Sequence, residues 1–363
     1  MSGHEKKREG AFWSALTVEL LSDSHNLFLD NIDHIRFPEQ TTAPMLRKVK
    51  DKALQAAARL GLSQHLFIDY SKVTEILSLP GLNETYLLLE DGYSRDLFVK
   101  LLAFRILGPR KVRLPTNSPL YWDKVHDARR YRSKENVIGD IHVLGSLDLY
   151  NVGDIRLIGH QLSVVNTFLL EQYRSDRAGV RVGDGDVIID AGGCWGDTAM
   201  YFAQRGAHVY CYECIPSNLE ILRKNLDLNP RLAEKISVIS KALYSEPAKL
   251  LTFSDTGPGS HITSQGVQIE TDSIDNLVCT NGLSRIDFIK MDIEGGEMGA
   301  LIGAEQAIRS FRPRLAISLY HSLEDFVRIP EWIASLHLGY QFYLDHFTIH
   351  QEETVLFAIA GSR

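Results

Sequence analysis

Three stretches of the chain hold residue types whose spacing could support chemistry. Lys290-Met291-Asp292-Ile293-Glu294-Gly295-Gly296-Glu297 follows the apolar run Ile286 to Ile289. Alternation along a strand puts Lys290, Asp292 and Glu294 on one side. Acids at a helix N-terminus are stabilised by its dipole, which accounts for Glu297 and in part for Glu294. It does not account for Lys290 and Asp292 at the end of an apolar strand. Tyr320-His321 closes a second apolar run, Leu315 to Leu319, so His321 is expected to open onto the same edge. The third stretch, Asp190 to Thr198, reads D-A-G-G-C-W-G-D-T directly after Val187-Ile188-Ile189.

That glycine turn has a physical logic. At the carboxyl end of a strand the chain must turn sharply into a helix, and glycine permits both the dihedrals and the close approach of a ligand. Asp190 either holds the turn through backbone N–H groups or reaches a ligand amine through water. Glu213 lies 21 residues beyond Gly192, at the end of the next strand. There an acidic side chain can accept hydrogen bonds from both hydroxyls of a ribose. The pair therefore points to a ribose-containing ligand. NAD is the rival to a sulfonium nucleoside, but the glycines run G-G-x-x-G rather than G-x-G-x-x-G. Trp195 is expected to fill the space that a pyrophosphate needs, and Asp197 to repel a phosphate at the helix N-terminus.

The elements that position these residues follow from hydrophobic periodicity. From about 178 onward strands and helices alternate, the mark of a doubly wound α/β domain. Strands are expected at 187–189, 208–212, 236–239, 286–289 and 315–319, with a helix at 217–228 ended by Asn229-Pro230. Two last strands, 340–344 and 354–359, are too close for a crossover helix and must be antiparallel. A parallel sheet with an antiparallel last strand is the class I methyltransferase arrangement. Upstream, Leu46, Val49, Ala53, Ala57 and Leu60 share a helical face, and a second helix begins after Ser94 and ends at Gly108-Pro109. Short strands are expected at 141–144 and 155–158, and a helix at 161–174. The chain divides into an N-terminal arm (1–42) of weak periodicity, flexible or loosely docked, a largely helical mixed extension (43–160), and the α/β domain (161–363).

The bulk composition narrows the class. The 363 residues carry a net charge of −7, with 44% hydrophobic and 23% charged. That is ordinary globular composition, without the basic stripe a nucleic-acid binder needs. Arg129-Arg130-Tyr131-Arg132 is the longest basic cluster and reads as a solvated face. Of four cysteines, Cys211 and Cys214 form a C-x-x-C, but no second pair follows, and a buried strand position suits free thiols better than zinc. No signal peptide and no membrane span are expected, so the chain reads as cytoplasmic.

The segments Val187–Thr198, Tyr212–Asn218, Ile289–Glu297 and Glu353–Ala358 resemble the FkbM family of methyltransferases, most specifically through K-x-D-x-E-G-x-E. The resemblance covers about 160–363. It implies S-adenosylmethionine as cofactor, held by Asp190, Gly192, Gly196, Asp197, Glu213, Asn218, Ala242 and Asp292. Thr167–Tyr173 resembles a cofactor-capping helix, which adds Gln172 and Tyr173. The second glycine, Gly193, departs from the alanine or valine common there and is expected to loosen the turn. The implied activity is O-methylation of a sugar hydroxyl in a glycan or glycolipid, or of a secondary metabolite. The alternatives are an NAD-type oxidoreductase and a non-catalytic nucleoside-binding protein. A hydroxyl is a poor nucleophile, so a base must take its proton. His321, Asp292 and Glu294 are the candidates, with Lys290 orienting a carboxylate. A metal beside Asp292 is possible, but no histidine at ligand spacing supports one, and no metal ligand is assigned. The partner is a small-molecule or glycan acceptor, not nucleic acid, and homo-oligomerisation stays open. Residues 1–160 are expected to shape the acceptor site or an oligomer interface, since the methyltransferase core should need none of them to bind cofactor.

Overall fold

The computed structural model describes residues 10–36, 52, 54, 68–135 and 147–361. Its centre is a seven-stranded sheet in the order β11-β12-β10-β9-β3-β4-β5. The strands are β3 (Val187–Ala191), β4 (His208–Tyr212), β5 (Ile236–Ile239), β9 (Phe288–Met291), β10 (Arg314–Ser318), β11 (Tyr340–His346) and β12 (Thr354–Ala360). Neighbours β5, β4, β3, β9 and β10 are parallel, while β12 runs antiparallel between β10 and β11. The expected class I methyltransferase sheet is thus present. The central strands are buried on both faces, which is why they read as continuous apolar runs rather than alternating ones. The carboxyl ends of β3, β4 and β9 meet at one edge, and the strand-order reversal between β3 and β9 opens a crevice there.

Ahead of the sheet lie helices α1 (Ala11–Ser24), α2 (Tyr70–Ser78), α3 (Leu82–Leu88), α4 (Gly92–Leu107) and α5 (Pro119–Ala128), then a hairpin of β1 (Asp148–Val152) and β2 (Ile155–Gly159). Asp91 caps α4 by accepting from the Ser94 N–H at 2.7 Å, and Gly108 ends it at φ +74°. The helical face at 46–60 and the strand at 141–144 lie outside the described residues. A small sheet of β6 (Ala242–Leu243), β7 (Leu250–Phe253) and β8 (Val267–Asp272), not foreseen in the sequence, closes over the end of β4 and β5. No helix among the described residues is long and apolar enough to cross a membrane.

Two expectations about the N-terminal half change. The described part of the arm is not loosely docked: Phe12 is fully buried and Leu16 nearly so. One hydrophobic cluster joins Phe12, Leu97 and Leu101 with Ile317, Phe326 and Phe342, so the extension shares its core with the sheet. Leu89 forms a parallel bridge to Phe342, and the Glu90 N–H donates to the Phe342 carbonyl at 2.9 Å, covering the sheet edge. The sheet and the extension therefore share buried apolar contacts. The helix expected at 161–174 stops early. It becomes a wide π-turn over Val164–Leu169, with the Leu170 N–H bonded five residues back to Val165, and Glu171 leaves at φ +51°. Gln172 and Tyr173 therefore sit on irregular chain rather than on a capping helix.

Candidate active site

The register of β3 and β9 sets Asp190 beside Lys290. Both side chains are buried, and the Lys290 Nζ lies 3.0 Å from Asp190 Oδ1. The same ammonium donates to the Ala191 and Gly192 carbonyls at 3.1 and 2.6 Å. Thr198 completes the arrangement by donating to Asp190 Oδ2 at 2.6 Å. Burial alone would lower the lysine pKa, but Asp190 and Asp292 outweigh it and keep the ammonium charged. Lys290 thus braces the glycine turn, and the carboxylate it holds is Asp190. The alternation expected through Glu294 ends at Met291, and the chain bends so that Glu294 takes φ +54°.

Gly192 stands at φ +79°, and a Cβ there would run into the carbonyl oxygen of Asp292. Its missing side chain makes room for a neighbouring strand end, not chiefly for a ligand as expected. Gly193 does not loosen the turn either: a Cβ there would strike Cys211 Sγ. Gly196, at φ +83°, caps helix α6 (Asp197–Gln204). Trp195 borders the larger of two hollows at this edge. It is buried against Leu149, Ile158 and Ile221, with its Nε1 donating to Asn218 Oδ1 at 3.2 Å. Cys211 and Cys214 are free thiols.

Two hollows meet at this edge. The first has an empty volume of about 620 Å³ and is lined by Gly192, Glu213, Asn218, Ala242, Asp292 and Glu294, with apolar Leu243, Phe253 and Ile262. Glu213 accepts from the Ile215 N–H at 2.7 Å, yet burial pushes its pKa up to about 7. The second, about 1980 Å³, takes in Gln172, Tyr173, Asp197, Lys290, Asp292 and Glu294. Its far wall is Arg36, Asp148, Tyr150 and Glu353, none of which the sequence marked as a site residue. Arg36 pairs with Glu353 at 2.8 Å, and Gln172 donates to the same carboxylate at 2.7 Å. Asp197 accepts from Thr167 at 2.6 Å, and burial pushes its pKa up to about 6.

Asp292 lines both hollows. Its two oxygens each accept a tyrosine hydroxyl at 2.9 Å, from Tyr173 and Tyr320. Tyr320 was missed because an isolated tyrosine beside a histidine carries no spacing signal. His321 Nε2 lies 3.4 Å from Asp292 Oδ1 and 3.5 Å from Glu294 Oε2, while Nδ1 is 3.0 Å from Glu297 Oε1. Burial would keep the imidazole neutral, but Glu294, Glu297 and Asp292 outweigh it and push its pKa up to about 11. That charge balance weighs against a near-neutral base at His321, which lines neither hollow. The lack of a histidine partner for Asp292 fails, because β9 and β10 are parallel neighbours and end side by side.

Residues 178–342 match the methyltransferase FkbM domain. No curated protein matches the chain in sequence. Among solved structures, a methyltransferase FkbM from Methylobacillus flagellatus is 21% identical with a TM-score of 0.50, the likeness covering 77% of this chain and 58% of that one. An rRNA methylase from Streptococcus thermophilus is 14% identical over 50% of this chain and 90% of its own, with a TM-score of 0.35. A precorrin-6y C5,15-methyltransferase from Geobacter metallireducens is 13% identical over 59% and 94%, with a TM-score of 0.34. Of these three, the first supports the fold, and this chain spans little more than half of its length. The sheet order, the turn after β3 and the matched residues agree: the chain carries a methyltransferase domain of the FkbM family over residues 178–342.

Proposed function

We propose that the protein is an S-adenosylmethionine-dependent O-methyltransferase acting on a hydroxyl of a sugar or small metabolite. The observation that carries this reading is the meeting of the two hollows at Asp292 and Glu294. The smaller hollow fits the cofactor. Glu213 is a buried carboxylate at its wall, and a ribose diol would relieve the cost that raises its pKa. Phe253 and Ile262 suit a nucleobase, and the backbone at Gly192 lies where the amino-acid end would reach. When bound, S-adenosylmethionine supplies a methyl group on a sulfonium, already activated for in-line displacement. A dinucleotide would instead bring phosphate to the N-terminus of α6, where Asp197 stands.

The larger hollow suits a polyhydroxylated acceptor. Asp148, Glu352 and Glu353 offer carboxylate oxygens to hydroxyls, and Tyr150 offers a flat apolar face. The same acids disfavour a phosphate backbone. Positioning is the main task of the protein groups. Asp292 is held by two tyrosine hydroxyls, which fixes it but occupies its basic oxygens. Glu294, one-third exposed and lining both hollows, is the carboxylate best placed to take the acceptor proton as the C–O bond forms.

Calorimetry with S-adenosylhomocysteine and with NAD tests the cofactor, and only the former should bind. Transfer of a labelled methyl group into fractionated cell glycans and metabolites tests the acceptor. Label appearing only in RNA or protein would overturn the hydroxyl-acceptor reading.

A further inference from the structure

We infer that His321, Asp292 and Glu294 form a binding site for one divalent cation at the junction of the two hollows, with Glu297 orienting the imidazole from behind. Among the described residues, Asp292, Glu297 and His321 are the group whose ligand atoms all lie within 4.8 Å of one another; Glu294 joins them through its Oε2, 3.5 Å from His321 Nε2. The His321 side chain is only 8% exposed. Neither of its ring nitrogens, nor Oε2 of the fully buried Glu297, makes a hydrogen bond of good geometry. A buried imidazole with no aligned partner, aimed at three acids, is an expensive arrangement unless something else satisfies it.

The separations fit a cation better than a direct contact. At 3.4 and 3.5 Å, the Nε2 distances to Asp292 Oδ1 and Glu294 Oε2 exceed a good hydrogen bond. Two ligand atoms bound at about 2.1 Å and separated by about 90–110° lie roughly 3.0–3.5 Å apart. On the other face, Glu297 Oε1 stands 3.0 Å from Nδ1 and itself accepts from the Ile293 N–H at 2.7 Å. A carboxylate on the far nitrogen is the usual way a protein sets the tautomer of a ligating histidine. Charge points the same way. Three carboxylates surround one imidazole, while Lys290 is already paired with Asp190 and Arg36 with Glu353. Oxygen donors with a single imidazole suit a cation of the manganese or magnesium class. A cation on Nε2 takes the place of its proton.

Asp292 and Glu294 line both hollows, so a cation between them has a coordination position facing the larger one. There it would hold the acceptor oxygen, leaving the second oxygen of Glu294 for the proton. That role rests on the hydroxyl-methylation reading, whereas the site itself does not.

Titration of the full-length protein with Mn²⁺, read by loss of the free-ion electron paramagnetic resonance signal, tests the site. One equivalent should bind and Mg²⁺ should compete. Glu294→Gln and His321→Gln should each weaken binding by about tenfold or more, and Asp148→Asn should not. Because His321→Gln disturbs a buried cluster, its melting curve is compared with wild type, and the partly exposed Glu294→Gln carries the test if it unfolds. Absence of saturable binding, or binding that Glu294→Gln leaves intact, overturns the site. Chelation separates the two readings. If Mn²⁺ binds but its removal leaves methyl transfer unchanged, the acceptor-holding role is overturned. If Mn²⁺ binds while S-adenosylhomocysteine does not, the methyltransferase reading fails and the cation site stands.

Discussion

The pocket beside Glu213 and the cleft beside Tyr173 touch at Asp292 but are assembled from different distances along the chain. The pocket draws its lining from residues between Gly192 and Gly296, on the sheet edge, on the helix that follows β4 and on the small sheet of β6, β7 and β8. The cleft runs from Ile35 to Glu353, joining the N-terminal extension to the last hairpin of the sheet. The pocket is therefore built wholly within the α/β domain, whereas the cleft also needs the extension that packs on the domain. The division suggests that one hollow serves a constant ligand and the other a ligand that can change with the extension.

Four substitutions would break or sharpen that contrast. The largest effect is expected where the hollows meet. Glu294→Gln should lower single-turnover methyl transfer by roughly 10²–10⁴-fold, the range for loss of a general base, with S-adenosylhomocysteine affinity nearly unchanged by calorimetry. Retained turnover would remove Glu294 from the proton path.

Within the pocket, Glu213→Gln should weaken S-adenosylhomocysteine by about 1.5–3 kcal/mol, as for a lost charge-assisted hydrogen bond. It should also stabilise the free protein at high pH. Burial raises the Glu213 pKa from 4.5 to about 7, so the folded state holds the proton more tightly than the unfolded chain. Wild-type stability then falls as pH climbs through that window, by at most about 3 kcal/mol. Thermal melts should show the variant above wild type at pH 8 and level with it near pH 4.5. Equal melting at both values would mean that the carboxylate is not strained.

The turn beneath the pocket offers a smaller, structural test. Gly193→Ala should cost about 1–3 kcal/mol, the usual penalty of overpacking, and adding Cys211→Ala should restore much of it by removing the obstructing sulfur. Denaturant titration of the single and double variants measures the coupling, and additive losses would place the obstruction elsewhere. The smallest effect belongs to the cleft wall. Arg36→Ala removes a largely buried ion pair, its side chains 21% and 15% exposed. It should raise the acceptor KM without moving cofactor affinity. An equal loss of both would show that the hollows are not separable.

The sequence alone determined the sheet. Apolar runs such as Val187–Ile189, and the short link before the last strand, marked the strands and the antiparallel last pair, while the order of the strands was implied by the family resemblance. It also marked Glu213, Asp292 and Glu294, because a charge at the end of an apolar strand is visible without coordinates. The tertiary structure decided what those charges do. Lys290 faces Asp190 rather than Asp292 because parallel register pairs the two positions. His321 stands among three carboxylates because β10 ends beside β9. Arg36 and Glu353 meet across the whole length of the chain. Periodicity reports which side a residue takes within its own element. It is silent on which element lies opposite, and electrostatic roles depend on that neighbour through distance and burial.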